Sequence, residues 1–355
     1  MATIGGRATT GPAGGVASGT NNSNVSQRED LANFISLITR DETPFLSSIG
    51  KSKATAIFHE WQTDELAAPG NSKLVDGADY VQPGGGGSEG GAAFNPVGPF
   101  RTRLGNYTQI NGKTIAVSGT RRAVDQAGVA DEYAYQLKKR GTELRRDIEH
   151  DLVNGYQVAS GSGTRTMGGF QSYVNDSATC TYASGTALTT TAGKGTHAPT
   201  LAADSARVAL SLTDIDGTMQ KIYEQGGKAT KIMLSPKLRR DFSDLMVSDT
   251  GVVRNIDANG KLRQSVDIYM SDFGDLMVVP NYIMGLQTGT AGTTNDHSDS
   301  CALIYDPQWF ALASLRPLAE VDVGQKGDST VGMLVEENTF EVKNPVGCGA
   351  IYGLK

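Results

Sequence analysis

Residues 124 to 157 carry the most regular pattern in the chain. Val129, Tyr133, Leu137, Leu144, Ile148, Leu152 and Tyr156 fall three, four or seven positions apart, the spacing of one apolar face on a helix. At 1.5 Å per residue, such a helix would be ~50 Å long, about the diameter of a compact chain of this size. It must therefore act as a spine. Its start is expected between Asp125 and Asp131, with Lys139–Glu143 and Arg145–Glu149 pairs at i,i+4 on its polar face. The basic residues Lys138, Lys139, Arg140, Arg145 and Arg146 are interleaved with acids and read as a solvated face. Gly141 interrupts the apolar stripe at a cost near ~1 kcal/mol, so another backbone is expected to cross there.

The parts before the spine cannot bury themselves. Residues 1 to 24 carry a single charge, Arg7, among Gly, Ala, Thr, Ser and Asn, too little apolar area to offset chain entropy. Leu31, Phe34, Ile35 and Ile38 predict a short helix stopped by Pro44 and followed by an extended arm. Two strands follow, over 54–66 (ATAIFHEWQTDEL) and Asn106–Ser118, with QPGGGGSEGG between them. A two-stranded ribbon with arms of roughly 40 Å is marginal by itself in water and needs a neighbour to lie on.

Beyond the spine, residues 160 to 200 shift to Gly, Ser, Thr and Ala and read as a linker or surface insertion. A helix is expected over TDIDGTMQKIYEQGG, with a capping-box-like start at Thr213 and Asp216 and a stop at Gly226. Leu212, Ile215, Met219 and Ile222 would face its core. A strand (ATKIMLS) and a helix opened by Ser235 and Pro236 come next, with further strands over 266–271, 276–279, 302–305 and 309–312. Residues 210 to 315 thus form an α/β unit. Alternation returns over 332–343 and 348–354, strands expected to pack back on the spine.

The chemistry-bearing residues are sparse. His59, His150, His197 and His297 show no metal-ligand spacing, and TAGKGT lacks both the leading Gly and the feeding strand of a phosphate loop. SGSG at 160–163 lacks the first Gly of a nucleophile elbow and follows a helix. Asp147 and Asp151 share a helix face but read as solvated carboxylates. Cys180, Cys301 and Cys348 are odd in number and widely spaced, giving neither a disulfide framework nor a zinc site. No catalytic, cofactor-binding or metal residue is therefore expected. There is no apolar leader and no run near ~18 apolar residues, which points to a soluble protein of a reducing cytoplasm. The net charge of −6 lacks the footprint of a dedicated nucleic-acid binder. Glycine stands out, 44 of 355 residues, against a usual ~7%.

Arm, Gly-rich hairpin, spine, α/β unit and returning strands, in that order, resemble the major capsid proteins of tailed bacteriophages with the Hong Kong 97-like fold. In sequence the likeness is to the capsid family named after Salmonella-type and SU-type phages. TPFLSSIG at 43–50, EWQTDELAAP at 60–69, NYTQI at 106–110 with VSGT at 117–120, ELRRDIEHDL at 143–152 and ENTFEVKNPVGCGAIYGL at 337–354 carry it. The inserts at 84–91 and 176–200 do not match.

The resemblance implies an α+β fold. Its parts would be an arm (1–53), an extended hairpin loop lying over the adjacent subunit (54–118), a peripheral domain holding the spine (119–199 and 319–355) and an axial domain (200–318). It further implies pentamers and hexamers of an icosahedral shell around double-stranded DNA. The partners would be other copies of the chain, with portal, scaffold and decoration proteins, DNA held only non-specifically, and no membrane. The virion would be its location after synthesis in the host cytoplasm. Some such proteins crosslink a loop Lys to a neighbour's Asn; Lys73 and Lys113 stand in the hairpin here. Phe58, Trp61 and Phe94 are candidate anchors for a neighbour, since aromatics dominate such patches; Trp61 has packing on its own subunit as an equal alternative. The competing readings are a tail or fibre component, for which no internal repeat speaks, and an enzyme with an unrecognised site.

Overall fold

The computed structural model describes residues 39–64, 66, 101–124, 128–155, 157, 164–182, 207–249, 267–285, 300–325 and 327–355. The expected tail, the helix over 31–38, the hairpin tip with Lys73 and Phe94, the SGSG and TAGKGT stretches, His197 and His297 lie outside these residues. Two sheets and a short ribbon surround one long helix, an α+β arrangement.

The spine is helix α3, Glu132–Asn154, 23 residues and so about 35 Å long, shorter than expected. Asp131 sets its start, because its side chain accepts from Tyr133 N at 3.0 Å and satisfies a donor that the first helical turn leaves unpaired. Val129 is thereby left outside the helix. Gly155 sets the end, where the chain turns to extended backbone. A Cβ on Gly155 would lie 2.7 Å from Met167 O, and one on Gly169 2.8 Å from Leu152 O, so the close backbone crossing occurs here. At Gly141, where it was expected, the nearest atom is a Leu334 methyl carbon at 4.0 Å.

Strands β1 (Gly50–Lys53), β10 (Phe310–Gln325), β11 (Ser329–Val342) and β4 (Gln109–Ser118) form the first sheet in the order β1-β10-β11-β4. β1 runs parallel to β10, while β10–β11 and β11–β4 are antiparallel. The spine lies on one face, with Tyr133 and Leu137 packed against Ile115, Val117 and Leu334. β10 is much longer than the expected strand at 309–312 and runs through the anticipated boundary at 318/319. Pro317 accounts for the misreading, since a proline in a strand usually marks an end. Here it falls at a register shift between Arg316 and Ala319, a bulge that tolerates the missing N–H.

The second sheet holds β5 (Thr181–Tyr182), β12 (Gly349–Tyr352), β9 (Ala302–Tyr305), β6 (Lys231–Leu234), β8 (Gly274–Pro280) and β7 (Ile268–Ser271), in that spatial order. Helices α5 (Leu212–Glu224) and α6 (Pro236–Asp249) contribute Ile215, Met219, Ile222, Leu238 and Phe242 to a core with Ile232, Leu276 and Ile304. The α5 cap is Ser211, two residues before the expected Thr213. Its Oγ accepts from Asp214 N at 3.2 Å and donates to Asp214 Oδ2 at 2.6 Å, leaving Thr213 inside the first turn. The stop at Gly226 is as expected, with φ at +77°.

Burial supports one expectation and corrects another. β12 does pack on the spine, as expected, but its hydrogen bonds place it in the second sheet, with β9 and β5. Cys348, Ala350 and Tyr352 join the cluster of Leu144, Ile148 and Leu152, while Ile351 and, past the turn at Gly353, Leu354 face the α5–α6 core. The stretch 164–182, taken for linker, is core. Met167, Phe170, Tyr173, Val174 and Cys180 are buried, and helix α4 (Phe170–Tyr173) sits inside the main cluster. Its glycines, which read as loop, are there for close approach of backbone to the spine's end.

At the head of this core is helix α1 (Pro44–Ser48), which Pro44 opens, as proline does at a first helical position. Phe45 meets Phe170, Tyr305, Phe310 and Phe340 edge-on at 5.2–6.1 Å between centroids, geometry that favours the ring quadrupoles.

Candidate assembly surface

The hairpin's root is built into the body. β2 (Phe58–Thr63) pairs antiparallel with β3 (Thr102–Tyr107) as a two-stranded ribbon, whereas β4 leaves it for the first sheet. The predicted strand over 106–118 is thus two strands split at Thr108. Asn106 makes the split possible. Fully buried, it donates to Gly168 O at 3.0 Å and Phe340 O at 2.8 Å and accepts from Gly168 N at 2.8 Å. Tyr173 adds a hydroxyl bond to Gly105 O at 2.9 Å. Close by, Glu337, 4% exposed, accepts from Thr108 Oγ1, Arg165 Nη2 and Arg316 Nε at 2.8, 2.9 and 2.7 Å. Charge-assisted bonds of this kind are among the stronger ones, and they fasten β3, β10 and β11 together.

Trp61 takes the intramolecular alternative. Its Nε1 donates to Val342 O at 2.7 Å, and its ring lies 6.0 Å from that of Tyr173. It is half-buried on its own subunit. We expect Trp61→Ala to cost about 2–3 kcal/mol of folding stability, below a fully buried aromatic truncation; a change under about 0.5 kcal/mol in chemical denaturation would contradict this packing. Phe58 stays 36% exposed, over Tyr107 at 4.6 Å, and the adjacent Ile57 is exposed too. Lys113 lies in β4, paired with Asp147 of the spine, and not on the loop.

The larger surface is the face of the first sheet turned away from the spine. Register places Ala319 and Val321 of β10 beside Val335 and Met333 of β11, and these beside Gly112 and Thr114 of β4. Val331 and Ala116 extend the same face, which is free of charged side chains as far as Ile110, where the paired Glu337 and Arg316 close it. Charges occupy the opposite face, where Tyr133 Oη donates to Glu320 at 2.6 Å and Lys113 meets Asp147. Glu320 keeps the Tyr133 hydroxyl protonated, pushed up to about 12. Val321 and Ile110 are about half exposed, and no described residue covers the patch. A continuous apolar sheet face of this kind marks an interaction site. A second bare area lies at the far edge of the other sheet, where Ile268, Met270 and Met277 are 58, 75 and 55% exposed.

Groups with reactive potential are locked away. Burial pushes the Cys180 and Cys348 thiols up to about 12, which suits packing and not nucleophilic work. Among the described residues no group of three or more His, Cys, Asp or Glu could hold a metal ion, and no helix is long and apolar enough to cross a membrane. A cleft of about 520 Å³ lies between β4 and the spine, lined by Lys113, Glu143, Arg146, Asp147, His150 and Asp151. Asp147 and Asp151, read as solvated, are here engaged by Lys113 and by Gln109 Nε2.

Solved structures share this architecture. The chain is similar to the capsid of the cyanophage P-SCSP1u (TM-score 0.55, 11% identity, 97% of this chain and 98% of that one). It also resembles a protein of Gordonia phage Cozz (0.54, 12%, 97% and 98%) and the capsid of a native GTA particle (0.54, 11%, 94% and 97%). At such identities the likeness shows the fold alone, which is that of Hong Kong 97-like phage capsids. In sequence, the major capsid protein of Escherichia phage Phieco32 is 34% identical over 126 residues, 35% of this chain. That match spans about a third, 32%, of the relative's own length. The family model described as SU10 major capsid protein matches residues 16–355. Since that match runs over nearly the whole length and the fold agrees with it, the chain belongs to the SU10 major capsid protein family.

Proposed function

We propose that many copies of this chain close a shell, and that the bare sheet face is covered there by a neighbouring copy. The observation that carries the reading is the uncharged surface of Val321, Met333, Thr114 and their neighbours, apolar on the side where no second layer stands among the described residues. Burying it on a sibling removes apolar area from water at roughly 25 cal/mol per Å². Contacts that are not self-complementary propagate into rings and curved sheets. In this reading 1–53 is the arm, 54–118 the loop laid over the neighbour, 119–199 and 319–355 the peripheral domain and 200–318 the axial domain. The axial domains meet around five-fold and six-fold centres. The shell encloses double-stranded DNA in the virion, and the protein works by binding and not by catalysis.

Negative-stain microscopy of purified full-length protein tests this, with closed shells or rings expected. Rods would favour a tail component, and small globular particles would contradict assembly. Val321→Asp combined with Met333→Asp is expected to leave circular dichroism unchanged and melting within a few degrees, yet to abolish shells. A charge buried without a partner costs several kcal/mol at each contact. Shells of normal form from the double variant would remove this face from the interface.

A further inference from the structure

Strand β2 alternates. Phe58, Glu60 and Gln62 face solvent, while His59, Trp61 and Thr63 face the body. Beneath this inner row lies one end of the first sheet, where Ala311 and Ala313 of β10 share a face by register with Glu341 and Thr339 of β11. The two alanines and Thr339 are buried. Trp61 is fixed by its bond to Val342 O, and His59 comes to lie beside Glu341. The His59 Nε2 is shut off from water and has no hydrogen-bond partner. Glu341 Oε2 stands 3.6 Å from it, too far for a hydrogen bond. The two side chains are only 18 and 13% exposed. Ser52 of β1 holds the same carboxylate oxygen, its Oγ donating at 2.8 Å. The other polar and charged neighbours are directed elsewhere. Glu60 points outward and meets Arg103 at 3.6 Å, and Asn106, opposite His59 on β3, is bonded to Gly168 and Phe340. Lys51 and Lys53 alternate with Ser52 on β1 and are exposed, as is Lys343 past the end of β11. The imidazole is thus one proton short of an ion pair.

We propose that protonation of His59 latches the root of the hairpin: as an imidazolium it ties β2 to Glu341 of β11 and, through Ser52, to β1. The latch belongs to the single subunit and does not rest on the shell reading. A neutral imidazole gains nothing in this position. One tautomer points a lone pair at the carboxylate, and the other places its N–H too far away to bond. A proton on Nε2 turns the same geometry into an attraction, which low exposure protects from screening by salt. An attraction made only by the charged ring is present while the ring is protonated. It is lost as pH rises through the range in which histidines discharge, about pH 5 to 8. The two-stranded ribbon, marginal by itself, is then held more firmly in mild acid than at alkaline pH.

The test follows amide hydrogen exchange in the full-length protein by mass spectrometry from about pH 5.5 to 8, with rates corrected for the intrinsic chemistry of exchange. Peptides from β9 and β12, inside the second sheet, serve as the reference against which global changes in stability are divided out. Relative to these, the amides of β2 and β3 are expected to lose protection by roughly threefold to tenfold across the range, between the worth of an exposed ion pair and a buried one. His59→Gln, neutral at every pH, should show no such loss. Glu341→Gln, whose amide oxygen can still accept from Ser52, should abolish it as well. A wild-type profile flat in pH overturns the proposal. So does one in which protection rises with pH, since burial of the ring would then outweigh Glu341. A loss that survives in either variant assigns the titration to another group and also overturns it. Should one variant fail to fold by circular dichroism, the other and the wild-type profile still decide.

Discussion

Leu144→Asp is expected to abolish folding. Leu144 is 2% exposed and packs in the cluster that joins the spine to Phe45, Phe340 and Tyr352. Truncating such a leucine costs about 2–5 kcal/mol, and an unpaired carboxylate in its place adds several more. Together they match the ~5–15 kcal/mol that holds a typical domain folded. Expression should yield insoluble or unfolded chain by solubility and circular dichroism, whereas Leu144→Met, close in volume, should cost less than ~1.5 kcal/mol. Soluble, helical Leu144→Asp protein would contradict the packing of the spine.

The second large effect concerns Glu149, which lies fully buried. Its carboxylate accepts from Phe45 N at 2.9 Å, Leu46 N at 2.6 Å and Asn281 Nδ2 at 2.7 Å. It thereby holds α1 on the spine and aims the arm, and it satisfies two of the N–H groups that the start of a helix leaves open. Glu149→Ala strands three buried donors, each costing ~1–3 kcal/mol, for a net loss of about 3–5 kcal/mol in denaturant unfolding. Burial raises the carboxyl above its ordinary 4.5, against the pull of the two backbone N–H groups and Asn281. The folded state then binds this proton more tightly than the unfolded chain. Stability from the group is present in full below about pH 4.5 and is lost as pH rises through the folded value. The wild-type advantage over Glu149→Gln should accordingly shrink with rising pH. An advantage that grows with pH would mean that the three donors outweigh burial.

Much of the fold was legible because its elements are periodic. The stripe through Leu144, Ile148 and Leu152, the alternation in 332–343 and the proline opening at Pro236 each report local geometry that survives packing. Glu149 shows what periodicity misses. Four residues after Arg145, it reads as half of a surface ion pair, and only the docking of α1, more than 100 positions earlier, makes it a buried acceptor. The stretch 164–182 misled for a related reason: Gly168 and Gly169 signal loop in a sequence and close packing in a structure. No local pattern distinguishes the two.

By itself the sequence determined the long helix, the extended hairpin root and the α/β run, because hydrophobic spacing and caps act within a few residues. It also carried the motifs by which the capsid family is recognised. Tertiary structure decided the rest: that β12 joins the second sheet, that Trp61 belongs to its own subunit, and that Glu149 of the spine is buried beneath α1. Each of these depends on which distant backbone groups and charges come to lie opposite one another, and that is settled only when the layers pack.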